Sequence, residues 1–386
     1  MILETAGRVL DEHQLCDRCL GRLFARLGRG TNEERGRAIR LVLRMERQAQ
    51  GDFPVLGGEK CEVCGGIFDE LPNMAGICLE KAREIEFSTF WVGSRFPAEV
   101  LERERALWEK YGIGTAESIK TEFNRELGKL LSEKLGKEPS SVGDLTFIVN
   151  PFGKTVELQI KPVYIYGRYR KLVRGISQTP LKGYRDSVSS IICRPVSREA
   201  GGKCVFKGAG REDSDVRMLG NGRPFILEIK NPRRRSLNLK SLVVEINSGG
   251  KVEVLDVRFT SGDEARRVLT SSHRKEYLAT VFVEEGVSPK EAAIVARMLK
   301  GAEIRQRTPR RVKRSRTDKT RIKKVYHAEV RWMDEQRFEL RLVTDGGLYI
   351  KELISGDEGR TNPSVSGILD KPALCESLDV INILDD

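Results

Sequence analysis

An α+β fold with antiparallel pairing is what this sequence predicts, on three observations. Strand-like alternation recurs through the second half, in PFILEIKNP, KVEVLDVRFT, KEYLATVFVEEG, VYHAEVRWM, RFELRLVTDGG and SLDVINIL. Helical periodicity is interleaved with it, in DEARRVLTSS and SPKEAAIVARMLKG. Earlier in the chain NPFGK joins two alternating segments as a hairpin would. The 386 residues suffice for two or three domains with a sizeable core.

Taken in order, residues 1–85 read as an N-terminal module in which CDRC and CEVC bracket the amphipathic stretch EERGRAIRLVLRMERQAQ. Ile39, Leu41, Val42 and Leu43 are its expected buried side. EFSTFWVGS then turns strand-like. Residues 86–172 read as a mixed α/β module. FPAEVLERERALWEKYG carries an apolar stripe of Val100, Leu101, Leu107 and Trp108, and SIKTEFNRELGKLLSEKLG one that includes Phe123, Leu127 and Leu131. DLTFIVN and TVELQIKPVYIYG follow as strands. Residues 173–386 make a domain of catalytic size. SVSSIICRPVSREAG is a helix capped by Asp186, which Pro195 should kink or end. CVFKG and PFILEIKNP are strands on either side of an acidic, glycine-rich turn.

Charge narrows the partners. The formal net charge is +12, which points to polyanions, nucleic acid first. Arg305 to Lys324 holds eleven Lys or Arg against one acid, Asp318, and so carries +10 of that charge. Lying between a helix and a strand, it is expected to be a long basic loop folded over RNA. There is no run of eighteen apolar residues, so a membrane span is not expected, and the cytoplasm and a monomer are the default expectations.

Among the eight cysteines, Cys16, Cys19, Cys61 and Cys64 form two C-x-x-C pairs. Each pair can place two thiolates on a tight turn, and two such turns close a tetrahedral zinc site with no open position, structural in kind. The 41 residues between Cys19 and Cys61 require a helical insertion to bring the pairs together. GKT at Gly153–Thr155 lacks the glycine a phosphate loop needs at position 148, where Ile148 stands. With three histidines in the chain, carboxylates are the better candidates for chemistry.

One string is specific. GREDSDVRMLGNGRPF resembles the catalytic motif of the archaeal tRNA pseudouridine synthases that modify T-arm uridines 54 and 55. Gly210, Arg211, Glu212 and Asp213 match the G-R-x-D core shared by pseudouridine synthases, and the string continues to match through Gly222, Arg223 and Pro224. The resemblance makes Asp213 the catalytic aspartate and gives Asp215 no such role. RKEYLA resembles the motif bearing the family's active-site tyrosine, here Tyr277. GLYIKELISGDEGRTNPSVSGIL resembles the strand motif whose basic residue, here Lys351, pairs with the aspartate. Many pseudouridine synthases carry arginine at that place. Tyr349 resembles a second substrate-contacting tyrosine, with Leu353 packed beneath. QRTPRRVKRSRTDKTR resembles the family's thumb loop, which implies RNA contacts from Arg311, Lys313, Arg314 and Arg316. The paired cysteines resemble its N-terminal zinc site, and the middle segment resembles a THUMP-containing RNA-binding domain.

The implied chemistry suits these residues. Pseudouridine formation breaks the N1–C1′ bond, rotates the uracil and rejoins it through C5, with no organic cofactor. It needs one carboxylate, a flipped base and an aromatic face, which Asp213 and Tyr277 would supply. A cation beside the carboxylate, Arg211 or Lys351, would keep it ionised. Two other readings compete: a different THUMP-bearing RNA-modifying enzyme, such as a methyltransferase or sulfur-inserting enzyme, and a non-catalytic zinc-containing RNA-binding protein.

Overall fold

A computed structural model describes residues 2–52, 60–313 and 317–384. The chain divides into two compact units, Met1–Lys161 and Pro162–Asp386.

The first unit holds helices α1 (Ile2–Glu12), α2 (Asp17–Arg22), α3 (Asn32–Ala49), α4 (Leu71–Ala82), α5 (Ala98–Lys110) and α6 (Ile119–Leu135), with strands β1 (Phe90–Ser94), β2 (Leu145–Asn150) and β3 (Thr155–Ile160). β1 runs parallel to β2, and β2 antiparallel to β3. A Cβ on Gly21 would stand 1.8 Å from the Asn32 carbonyl oxygen, so α2 and α3 meet backbone to backbone. The α3 stripe differs from expectation. Ile39 and Leu43 are buried, one turn apart, while Leu41 and Val42 face solvent. The 3.6-residue period turns those two away from the face that Ile39 and Leu43 share. Arg22 is also buried, bonded to Glu104 at 3.1 Å and Glu122 at 3.2 Å.

The second unit holds β4 (Val163–Lys171), α7 (Val188–Ala200), β5 (Lys203–Gly208), β6 (Arg217–Lys230), α8 (Leu239–Asn247), β7 (Val252–Thr260), α9 (Gly262–Thr270), β8 (Arg274–Val283), α10 (Pro289–Leu299), β9 (Glu303–Arg307), β10 (Thr320–Asp334), β11 (Arg337–Thr344), α11 (Ile350–Ser355), β12 (Thr361–Asn362), α12 (Val365–Leu369) and β13 (Ala373–Leu384). One ten-stranded sheet runs β12-β9-β10-β11-β8-β13-β6-β4-β7, with β5 paired to β6. β6 and β13 are parallel, and the other pairs are antiparallel. The architecture is thus α+β with a mixed sheet, as the alternation predicts. α7, α8 and α10 pack on β5, β7 and β10.

Four local expectations change. TVELQIKPVYIYG is cut at Lys161–Pro162, so β3 closes the small sheet while β4 enters the large one, although 163–171 read as part of the preceding module. Ser187, not Asp186, caps α7, and the helix continues through Pro195 to Ala200. Burial of Ile192, Pro195 and Val196 offsets the one backbone hydrogen bond that proline removes. The basic segment is no open loop at its two ends: β9 pairs antiparallel with the start of β10, Arg307 opposite Thr320. The segment expected as a strand around Lys351 is helix α11.

Candidate active site

The glycine-rich acidic turn joins β5 to β6 at the middle of the large sheet. Gly210 has φ +95°, which bends the chain back so that Ala209 N–H reaches the Pro224 carbonyl at 2.9 Å. The three crowded acids then part company. Glu212 points into the core, buried, and accepts from Tyr169 Oη at 2.8 Å and Arg223 Nε at 2.9 Å. Gln178 donates both to Tyr169 Oη and to the Gly210 carbonyl, each at 2.8 Å. Glu212 is a latch that fixes the turn, and it leaves Asp213 and Asp215 on the accessible side.

Lys171 holds the same turn from below. Its side chain is fully buried at the end of β4, and its ammonium donates to the carbonyls of Asp213 at 2.8 Å, Ser214 at 3.1 Å and Ile176 at 3.1 Å. Burial lowers the Lys171 pKa, against the pull of Glu212, Asp215 and Asp213.

Asp213 lines a cavity of about 270 Å³ with Arg211, Arg223, Tyr277, Arg311, Tyr349 and Lys351 among its walls. Arg311 Nη1 lies 2.8 Å from Asp213 Oδ2, and Lys351 Nζ lies 3.5 Å from the same oxygen. Lys351 is closer to Asp215, at 2.6 Å. Burial works to raise the Asp215 carboxyl, but the Lys351 ammonium overrides it and leaves the group below its ordinary value. Arg311 is itself oriented by buried Glu352, 2.5 Å from its Nε. The expected neighbour Arg211 lines the cavity but forms no ion pair with Asp213 among the described residues. Arg311, expected on RNA phosphates, takes that place instead.

Tyr277 sits on β8, opposite Val380 of β13, which in turn lies opposite Met218 of β6. That row brings the tyrosine to the turn from two strands away. Burial, opposed by Arg223, pushes its hydroxyl up to about 12, so it is a protonated donor at neutral pH. Tyr349 precedes α11 and is clamped by buried Gln306 of β9, which accepts from Tyr349 N–H at 2.8 Å and donates to its carbonyl at 3.0 Å. Leu353 is fully buried in the core, as a packing role requires, and is not among the residues that line the cavity, so it makes no substrate contact there. Lys313 is exposed, 3.8 Å from Asp318. Arg314 and Arg316 lie outside the described residues.

Lys171, Glu212, Arg223 and Gln306 had no role assigned from sequence. Lys171 had a signal: with Val163, Ile165, Gly167 and Tyr169 it occupies the inward positions of an alternating strand, where a lysine needs acceptors.

In the first unit the sulfur atoms of Cys16, Cys19, Cys61 and Cys64 all lie within 4.8 Å of one another. Cys16 and Cys64 are 3.7 Å apart, close to the roughly 3.8 Å edge of a tetrahedron with 2.3 Å metal–sulfur bonds. The two turns are laced together by Glu62 N–H to the Gln14 carbonyl at 2.9 Å and Gln14 N–H to Glu62 Oε1 at 3.0 Å. Hydrogen bonds from Cys16, then Cys19, draw Cys61 and Cys64 toward the thiolate form. The set can hold a metal ion. His13 is turned to Glu62 at 3.1 Å and is not one of the four.

Residues 164–384 match the family model "Pus10, C-terminal", and residues 74–150 match "Pus10 THUMP domain, archaeal". The tRNA pseudouridine synthase Pus10 of Pyrococcus furiosus is 57% identical over 387 residues, covering 100% of this chain and 99% of that one. Those of Thermofilum pendens and Methanocaldococcus jannaschii are 41% and 39% identical, covering 97% and 98% of this chain and 94% and 93% of theirs. Among solved structures, that of a Cbf5-Nop10-Gar1 complex gives a TM-score of 0.33 at 16% identity, over 56% of this chain and 58% of that one. The class is therefore a pseudouridine synthase, an isomerase. Within that class, the chain belongs to the Pus10 family.

Proposed function

We propose that this protein converts uridine to pseudouridine in the T arm of tRNA, at position 54, 55 or both, with Asp213 as the catalytic carboxylate. The observation that carries the assignment is the meeting of Asp213 with Arg311, Lys351 and Tyr277 around one cavity. Two cations face this carboxylate, which as the nucleophile can attack the nucleotide or stabilise positive charge on its sugar. Tyr277 offers a face for the uracil while it is detached, and Tyr349 is set on the same wall. The N1–C1′ bond breaks and a C5–C1′ bond forms. The C5 proton leaves and N1 gains one, so atoms and electrons balance. The phenol of Tyr277, protonated at neutral pH, can relay that proton.

Binding is assigned to other surfaces. The basic segment 305–324, including Lys313, contacts tRNA phosphates, and the part of the first unit from residue 86 to Lys161 adds a second RNA surface. Cys16, Cys19, Cys61 and Cys64 hold one structural zinc, which suits a reducing cytoplasm. Tritium release from C5-labelled uridine in a tRNA transcript tests the assignment. Release by the wild type and none by Asp213→Asn, at equal tRNA affinity, is the expected result. A fully active Asp213→Asn overturns it.

A further inference from the structure

A second cavity, of about 370 Å³, adjoins the first and shares Arg211, Tyr277, Leu348 and Tyr349 with it. Its other walls carry Lys275 from β8 and Arg321 and Lys323 from β10, with His273 beside them. None of its fifteen lining residues is acidic, in a chain with 56 Asp and Glu. The neighbouring cations Arg223, Arg311 and Lys351 all have carboxylates. The side-chain ammonium groups of Lys275 and Lys323 form no hydrogen bond or ion pair among the described residues. Lys275 is half-buried, and its charge is opposed first by that burial, then by Arg223 and Lys323, with Glu212 working the other way.

Glycines open the space in front of these ammonium groups. A Cβ on Gly210 would stand 3.3 Å from Lys275 Nζ, and one on Gly347 4.0 Å from Lys323 Nζ. Side chains at either position would intrude on the groups an anion would need to reach. Uncompensated cations facing a partly enclosed cavity are costly until an anion arrives, and a phosphate supplies negative charge and several acceptors at once.

We propose that this cavity seats a backbone phosphodiester of the substrate RNA, the one bordering the nucleotide whose base enters the Asp213 cavity, with Lys275 and Lys323 as its ligands. The shared Tyr277–Tyr349 wall sets base and phosphate side by side, as they are in one nucleotide. The inference rests on the proposed RNA substrate and adds a subsite to it.

The test uses T-arm RNAs that each carry one uncharged methylphosphonate linkage, moved stepwise past the target uridine. Affinity is read separately from conversion, for the full-length wild type, Lys275→Gln and Lys323→Gln. The wild type should lose roughly tenfold or more in affinity at one linkage bordering the target. Lys275→Gln should bind unmodified RNA more weakly by a similar factor and show no further loss at that linkage, while keeping the wild-type pattern elsewhere. Lys323→Gln makes the same comparison should Lys275→Gln fail to fold. A variant that retains the full wild-type penalty at the bordering linkage, or a wild type indifferent to every linkage there, overturns the proposal. Failure of the proposed reaction would show instead as binding without tritium release.

Discussion

The ammonium of Lys171 donates a 2.8 Å hydrogen bond to the backbone carbonyl of Asp213, from a strand 42 positions upstream. The same ammonium holds the carbonyls of Ser214 and Ile176. Lys171→Met keeps the length of the side chain and strands three acceptors. Removing a buried charge recovers some desolvation, but each orphaned carbonyl costs about 1–3 kcal/mol. The expected net loss is about 2–4 kcal/mol in denaturant unfolding, with kcat down at least tenfold and KM nearly unchanged. An unaltered kcat in the folded variant would separate Lys171 from the catalytic turn.

Asp213 and Asp215 should differ sharply on neutralisation. Asp213→Asn removes the carboxylate that faces the cavity, and pseudouridine formation should cease. Asp215→Asn removes the nearer partner of Lys351 and leaves that ammonium to Asp213, 3.5 Å away. Its kcat should stay within about tenfold of wild type by tritium release. A dead Asp215→Asn with an active Asp213→Asn would exchange the two roles.

RNA affinity should carry the titration of Lys275. Its pKa is held down to about 8 in the free protein, chiefly by burial. The charged groups around it are Arg211 and Glu212 on the turn, Arg223 on β6, and Arg321 and Lys323 on β10, with titratable His273 just ahead of β8. A bound phosphate favours the protonated lysine and raises its pKa in the complex, so affinity is full below about 8 and falls as pH rises through it, by at most about tenfold per pH unit. Lys275→Gln should lose that part of the fall. Folding runs the other way. Above about 8 the unfolded chain holds the lysine proton more tightly, so stability from this group increases with pH up to the ordinary lysine range.

Cys61→Ser should abolish stoichiometric zinc, read by elemental analysis of protein purified without chelator. Structural zinc commonly contributes roughly 10 kcal/mol or more of binding free energy, so the first unit should melt earlier while the large sheet keeps its own transition. Wild-type protein that contains no zinc would end this assignment.

Gly210→Ala should damage the turn and crowd the Arg223 guanidinium. Its φ of +95° disfavours any L side chain, and the new Cβ would stand 2.6 Å from Arg223 Nη1. The backbone term alone is about 1–2 kcal/mol, and release of the Arg223–Glu212 latch should add a fall in kcat. Equal melting temperature and kcat would show that the turn tolerates the change.

Local patterns carried much of this architecture. Alternation revealed β6, β7, β8, β11 and β13, and the paired C-x-x-C strings marked four residues that do come together. Motif strings identified Asp213, Tyr277 and Lys351, whose side chains meet around one cavity. What escaped depends on tertiary pairing. β9 is a five-residue strand of mostly charged and polar residues, and it reads as loop until β10 is placed beside it. Arg311 reads as one more thumb-loop cation, and only the fold sets it against Asp213 and Glu352. α11 follows from packing against β13, which local propensity does not encode.

β13 comes last in chain order among the described strands, yet it lies between β8, which carries Tyr277, and β6, which leads out of the Asp213 turn. Until residues 373–384 have left the ribosome, those two strands have no bridge and both present open edges. The nascent chain therefore owns every group of the reaction while lacking the wedge that brings them together. Such distant pairing is slow to form and leaves strand edges exposed in the meantime. The same order should time the onset of activity: the emerging polypeptide is expected to stay inert toward RNA chemistry until residues 373–384 slot between β8 and β6.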